Sequence, residues 1–137
     1  MTDLELMRLA EEARKLSYCP YSHFAVGAAL LTKSGKVYTG CNIESASYTP
    51  TNCAERTAVF KAVSEGEREF VTIAVIGAPE GEKGKFCAPC GVCRQVLREF
   101  CDPSAFRVIL GSTEAVKSYT MEELLPASFA PSDLKGE

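Results

Sequence analysis

The sequence predicts an α/β fold: a single mixed five-stranded β-sheet sandwiched by α-helices. Three observations carry that expectation. Helical and strand-like stretches interleave in the order helix, hairpin, helix, strand, helix, strand, strand, short helix, and such an order packs as one sheet covered by helices. The 137 residues are the size of one domain, and no repeat, low-complexity tract or linker divides residues 1–137. Apolar residues make up 46% and charged residues 24%, which supplies a core without covalent staples.

Residues 3–18 have helical spacing. Leu6, Leu9, Ala10, Ala13 and Leu16 recur at steps of three and four and define one apolar face. Thr2 and Glu5 form a capping-box pattern before them, and Pro20 ends the run. A polar and aromatic connector leads to Phe24, and residues 24–31 read as a buried strand. Ser34-Gly35 is a turn, and residues 36–41 return as the second strand of a hairpin. Residues 42–51 contain few core residues and a proline, as a loop does.

Cys53 opens a helix running to about Glu65, with Ala54, Ala58, Val59, Ala62 and Val63 available for burial and Gly66 as its stop. Residues 71–77 are β-branched and apolar, the composition of a central strand. Residues 78–85 form a surface loop. Cys90 opens a further helix to about Phe100, with Val92, Val96, Leu97 and Phe100 on its apolar side. Residues 106–110 and 114–119 are the last strands, joined by a turn at Gly111-Ser112. Thr120 and Glu123 repeat the capping box before a short helix cut off by Pro126. From Pro131 the chain is polar and is expected to fray.

Charge and hydropathy exclude several functions. The net charge is −3 with both signs mixed along the chain, and the absence of a basic stripe argues against nucleic acid as a partner. No apolar run reaches the length of a membrane span. The first residues carry Asp3, Glu5, Glu11 and Glu12 and no apolar h-region, so no signal peptide is expected and the cytoplasm is the default location. A small-molecule partner fits best.

Seven cysteines, an odd number, stand at 19, 41, 53, 87, 90, 93 and 101. Without a secretion signal, their clustering points to a metal more than to disulfides. Cys53 and Cys90 each begin a helix, where free N–H groups and the positive dipole end stabilise thiolates. Cys90 and Cys93, three apart on a first turn, face one side. If the two helices lie side by side, Cys53 completes a three-sulfur set for zinc. Three protein ligands leave the fourth position open for catalysis, whereas four close the site as a structural one. Cys87 makes a second Cys-x-x-Cys with Cys90, so a closed four-cysteine site remains the competing arrangement. Glu55, two residues after Cys53, is placed to move protons beside an open site; the plainer alternative is an exposed first-turn glutamate favoured by the dipole. Arg56 and Arg94 are candidates to hydrogen-bond the sulfurs and offset the charge of three thiolates. His23 is the lone histidine and reads as a surface or structural residue.

The pattern Cys53-Ala54-Glu55 followed by Pro89-Cys90-x-x-Cys93 resembles the zinc-deaminase signature. Together with Tyr21-Ser22-x-Phe24-x-Val26-Gly27-Ala28-Ala29-Leu30, Gly40-Cys41-Asn42-Ile43-Glu44, Arg56-Thr57-Ala58, Arg94-Gln95 and Glu123-Leu124-Leu125-Pro126, it resembles the small, three-cysteine, homotetrameric cytidine deaminases over nearly the whole chain. The resemblance implies a cytidine deaminase-like fold and zinc-dependent hydrolysis of cytidine and deoxycytidine to uridine and deoxyuridine plus ammonia, in pyrimidine salvage. It implies one zinc ion per subunit on Cys53, Cys90 and Cys93, and Glu55 as proton shuttle. Asn42 and Glu44 would hold the ribose hydroxyls, the Ala54 N–H would bind the pyrimidine oxygen, and Phe24 would pack on the base or sugar. Phe129 would cap the base from a neighbouring subunit, with active sites at the interfaces of a homotetramer. Without the resemblance, Phe24 and Phe129 would read as core aromatics. Ser45 and Cys87 depart from the usual pattern. Aminonucleoside-antibiotic deaminases also carry Cys-Ala-Glu and are the rival activity, while Asn42-Ile43-Glu44 favours a ribose.

Overall fold

Period-two alternation along the strands decides which side of the sheet each helix covers. In the computed structural model, which describes residues 1–136, the sheet order is β2-β1-β3-β4-β5. The strands are β1 (Phe24–Thr32), β2 (Val37–Cys41), β3 (Phe70–Pro79), β4 (Arg107–Gly111) and β5 (Val116–Thr120). β1 is antiparallel to both β2 and β3, β3 is parallel to β4, and β4 is antiparallel to β5. The sheet is therefore mixed and five-stranded, with β3 at its centre, as expected from its unbroken apolar run.

One face presents Ala28, Leu30, Ile73, Val75, Val108 and Leu110. It packs on Ala54, Ala58, Val59 and Ala62 of α2 (Ala54–Ser64), Leu97 of α3 (Gly91–Glu99) and Met121. The other face presents Ala29, Ala74, Ile76 and Ile109 to Leu6, Met7 and Ala10 of α1 (Asp3–Arg14). The sheet is thus sandwiched, with α1 alone on one side. α2 sits very close to β2: a Cβ built on Gly40 would lie 2.5 Å from the Ala54 carbonyl and 2.6 Å from the Ala58 nitrogen. Only glycine permits that approach, and it fixes the start of α2 against the sheet.

Both capping boxes form, at Thr2/Glu5 and Thr120/Glu123, the second opening α4 (Met121–Leu124). Three expectations need correction. α1 ends at Arg14, because Lys15, Leu16 and Ser17 donate to carbonyls three residues back and Tyr18 then donates to Asn42; Leu16 is left 80% exposed. Val92 is also exposed rather than core. The segment expected to fray folds as α5 (Pro131–Lys135). Pro131 presets its first turn, and Asp133 Oδ2 accepts the Ala130 N–H at 2.7 Å. Among the described residues no helix is long and apolar enough to cross a membrane.

Candidate active site

Two helix starts meet at the site. Cys53 is the N-cap of α2 and Cys90 the N-cap of α3, and neither uses its side chain as a cap. Their sulfurs point instead to a common centre, which Cys93 reaches from the first turn of α3. The three Sγ atoms all lie within 4.8 Å of one another, and Cys90 and Cys93 approach to 3.5 Å. Tetrahedral zinc with bonds of about 2.3 Å needs sulfurs about 3.8 Å apart, so this donor set fits the ion with little movement. Cys87 is not a member of the cluster.

The electrostatics favour anionic sulfur at Cys53. A hydrogen bond from Cys93, reinforced by the Arg56 guanidinium, lowers the Cys53 pKa to about 5. Cys93, the donor of that bond and buried, is shifted upward. Arg56 Nη2 donates to Cys53 Sγ at 3.2 Å, while its Nε is buried without a partner. Arg94 is placed differently from the expectation. Its Nε donates to the Pro89 carbonyl at 2.8 Å and its Nη1 to the Leu124 carbonyl at 2.7 Å. It anchors the segment before Cys90 to the end of α4.

Glu55 is 4% exposed, which rules out the plain surface glutamate. Burial pushes its pKa up to about 7, against the opposing effect of its own backbone N–H. A carboxyl that titrates near neutrality can both accept and return a proton. Ala54 is the first residue of α2, so its N–H has no intrahelical acceptor.

The flanking loops are built by the Asn-x-Glu residues. Asn42 continues the β2 ladder with its side chain: Oδ1 accepts from Val26 N–H at 2.9 Å and Nδ2 donates to the Phe24 carbonyl at 2.8 Å. One lone pair and one N–H of the amide remain free of these bonds. Glu44 Oε1 accepts from the N–H groups of Tyr21 and Ser22 at 3.0 and 3.1 Å, and Oε2 accepts from the Ser22 hydroxyl. The Ser22 hydroxyl is the main reason its pKa is lowered. Tyr21, Ser22, Glu44, Ser45, Tyr48 and Thr51 line a cavity of about 390 Å³. The Phe24 ring and the Cys87 thiol flank Gly77, where a Cβ would come within 3.0 Å of each. Phe129 is 57% exposed, its carbonyl accepting from Gln95 Nε2 at 2.9 Å. Cys53, Glu55, Arg56, Cys90 and Cys93 are thus gathered at one point, with Arg94 behind them. Sequence reasoning missed Gly77 and the Tyr21-Ser22 turn as partners of the site; only the pairing of β1 with β3, and Glu44's reach across to residue 22, bring them there.

Residues 1–109 match the family model described as the cytidine and deoxycytidylate deaminase zinc-binding region. A cytidine deaminase of Halalkalibacterium halodurans is 49% identical over 130 residues, 94% of this chain and 95% of the relative. A blasticidin-S deaminase of Bacillus cereus is 34% identical over 131 residues, 93% of this chain and 91% of the relative. The crystal structure of a cytidine deaminase from Burkholderia pseudomallei superposes with a TM-score of 0.84 at 46% identity, over 94% of this chain and 100% of that one. The family match over residues 1–109, together with a relative 49% identical over nearly the whole chain, shows that the chain belongs to the cytidine and deoxycytidylate deaminase family.

Proposed function

We propose that the protein deaminates free cytidine and deoxycytidine hydrolytically, yielding uridine or deoxyuridine and ammonia, as a pyrimidine-salvage enzyme of the cytoplasm. The observation that carries this reading is the buried carboxyl of Glu55 beside a three-sulfur cluster that omits Cys87. Such a cluster holds one zinc ion per subunit and leaves a position for water. The ion, when bound, polarises that water and lowers its pKa.

The chain's own residues do the rest. Glu55 takes a proton from the water and delivers it to the ring nitrogen next to C4, making that carbon electrophilic. Once the new C–O bond has formed, Glu55 takes the remaining proton from the added hydroxyl and passes it to the amino group, and the C–N bond breaks to release ammonia and leave a carbonyl at C4. A pKa of about 7 suits both transfers. Arg56 offsets thiolate charge that would otherwise work against ionising the water. The Ala54 N–H binds the pyrimidine oxygen, Phe24 packs on the base or sugar, and the unspent groups of Asn42 and Glu44 receive the ribose hydroxyls. Phe129, exposed on one subunit, covers the base bound by another, which makes the working unit a homotetramer.

The deciding experiment is an ultraviolet assay for cytidine loss on protein of known zinc content, run beside blasticidin S. Turnover of cytidine with one zinc per chain supports the reading. Faster turnover of blasticidin would assign the antibiotic activity instead, and zinc with no ammonia from either would leave a non-catalytic zinc module.

A further inference from the structure

The chemistry above makes no use of an ion pair on the far side of the sheet. Arg14, the last residue of α1, is only 8% exposed, which is rare for a cation. Its guanidinium is fully engaged. Nε donates to the Ala25 carbonyl at 2.8 Å, Nη1 to Glu11 Oε1 at 2.6 Å and Nη2 to the Ala78 carbonyl at 3.2 Å. Both Nη atoms also reach the Glu82 carbonyl at 3.3 Å. Glu11 sets its second oxygen on the Gly84 N–H at 2.9 Å.

These acceptors share a location. Ala25 and Ala78 are register partners at one end of the β1–β3 pair. Their neighbours Phe24 and Gly77 belong to the opposite face, where the Phe24 ring and Cys87 thiol close on Gly77. Past Gly84 the chain returns along β3, with Gly77 and Lys85 exchanging backbone bonds of 3.2 and 3.0 Å. That return leads through Cys87 to Pro89 and Cys90. One guanidinium and one carboxylate thus hold, from behind, both segments that aim Phe24 and Cys87.

We propose that Glu11 and Arg14 are a positioning pair for the substrate wall made by Phe24 and Cys87. The proposal rests on the reading of Phe24 as a wall of the nucleoside site. A pair kept for surface charge would sit in water with few backbone bonds. This one is desolvated, and removing it strands the carbonyls of Ala25, Ala78 and Glu82. The strand ends and loop then relax, and the Phe24 ring loses its fixed position. Small displacements of binding groups carry large kinetic costs.

The test compares zinc-loaded Arg14→Met, Arg14→Lys, Glu11→Gln and Gly84→Ala, each well below its unfolding temperature. Gly84→Ala leaves Arg14 intact and forces the loop away, since its Cβ would lie 2.7 Å from both Glu11 Oε2 and Ile76 Cγ1; it keeps the test decisive if Arg14→Met does not fold. Measured quantities are KM and kcat for cytidine, uridine affinity by calorimetry, and zinc content. Arg14→Met and Gly84→Ala should raise KM and the uridine Kd by about tenfold, with kcat within about threefold. Zinc content should not change, Glu11→Gln should show a smaller shift of the same kind, and Arg14→Lys should recover part of the loss. A lowered melting temperature with unchanged KM would overturn the proposal, as would a joint loss of zinc and kcat. An active parent protein with KM-silent variants would sink the pair's role and leave the proposed function standing. A parent that neither deaminates cytidine nor binds uridine would remove that function and this proposal with it.

Discussion

Arg56 and Cys53 face each other one turn into α2, joined by an Nη2–Sγ hydrogen bond of 3.2 Å. Three thiolates leave a zinc site with net negative charge, which raises the cost of ionising a bound water. Arg56 is the cation that touches this cluster. If Cys53 holds zinc as proposed, Arg56→Gln should lower kcat by about 10- to 100-fold, the usual effect of losing a partner of a metal ligand. The zinc-release rate to a coloured chelator should rise in the same variant. Unchanged kcat and zinc release would show the bond to be incidental.

Glu55 gives a prediction in which activity and stability part ways. Glu55→Gln removes the proposed proton carrier and should lower turnover by about 100- to 10,000-fold. The same change replaces a carboxyl that is 4% exposed with a neutral amide of equal size, so no charge needs desolvating. Zinc content should be retained and the melting temperature should not fall. Near-normal turnover would remove Glu55 from the mechanism.

Much of this was legible in the sequence because it is local. Cap boxes, the Ser34-Gly35 hairpin turn and the placement of Cys53 and Cys90 at helix starts depend on neighbours within a few residues. What stayed hidden depends on distant backbone. Nothing near Arg14 shows that three carbonyls from residues 25, 78 and 82 await it. Arg94 directly follows Cys93, yet its fork goes to Pro89 and Leu124 because the end of α4 passes there. Leu16 fits the apolar stripe of α1 by spacing, but the helix stops before it so that Tyr18 can join Asn42.

Gly40 ties the stability of the fold to the geometry of the site. Gly40→Ala would place a Cβ 2.5 Å from the Ala54 carbonyl and 2.6 Å from the Ala58 nitrogen, both backbone atoms. The start of α2 must then lift from β2, carrying Cys53 and Glu55 with it. Overpacking of this kind costs about 1–3 kcal/mol. The expected result is a lower denaturant midpoint at unchanged slope, together with weaker zinc retention. A variant as stable as the parent would show that α2 can shift freely on the sheet.

Asp3 and Arg107 make the clearest pH prediction. Arg107 grips the Asp3 carboxylate with two bonds, of 2.8 and 2.9 Å, tying the start of α1 to β4. The Arg107 hydrogen bond lowers the Asp3 pKa, with burial opposing it. A carboxyl whose pKa is lower folded than unfolded adds stability above the unfolded value and loses it as pH falls through the folded one. The pair is partly exposed, so solvent screening holds its contribution to about 0.5 kcal/mol. Asp3→Asn should therefore be slightly less stable than the parent at neutral pH, and the gap should close below the normal aspartate range. A gap that persists in acid would point to helix capping rather than to the ion pair.

Cys87 decides whether the site is open or closed. The three clustered sulfurs belong to Cys53, Cys90 and Cys93, while the Cys87 thiol packs against Gly77 beside the Phe24 ring. Burial is the main reason its pKa is raised, with the charges of Glu55 and Cys53 adding to the shift. Its sulfur lies outside the cluster whose members are all within 4.8 Å of one another, so it is not placed to share an ion with them. Cys87→Ser should keep the full zinc content and retain kcat within about threefold, because neither the donor set nor the proton carrier changes. KM should rise modestly if the thiol helps seat Phe24. Release of the metal from Cys87→Ser would mean four sulfurs around the ion and no position for water, and the hydrolytic reading would fall with it.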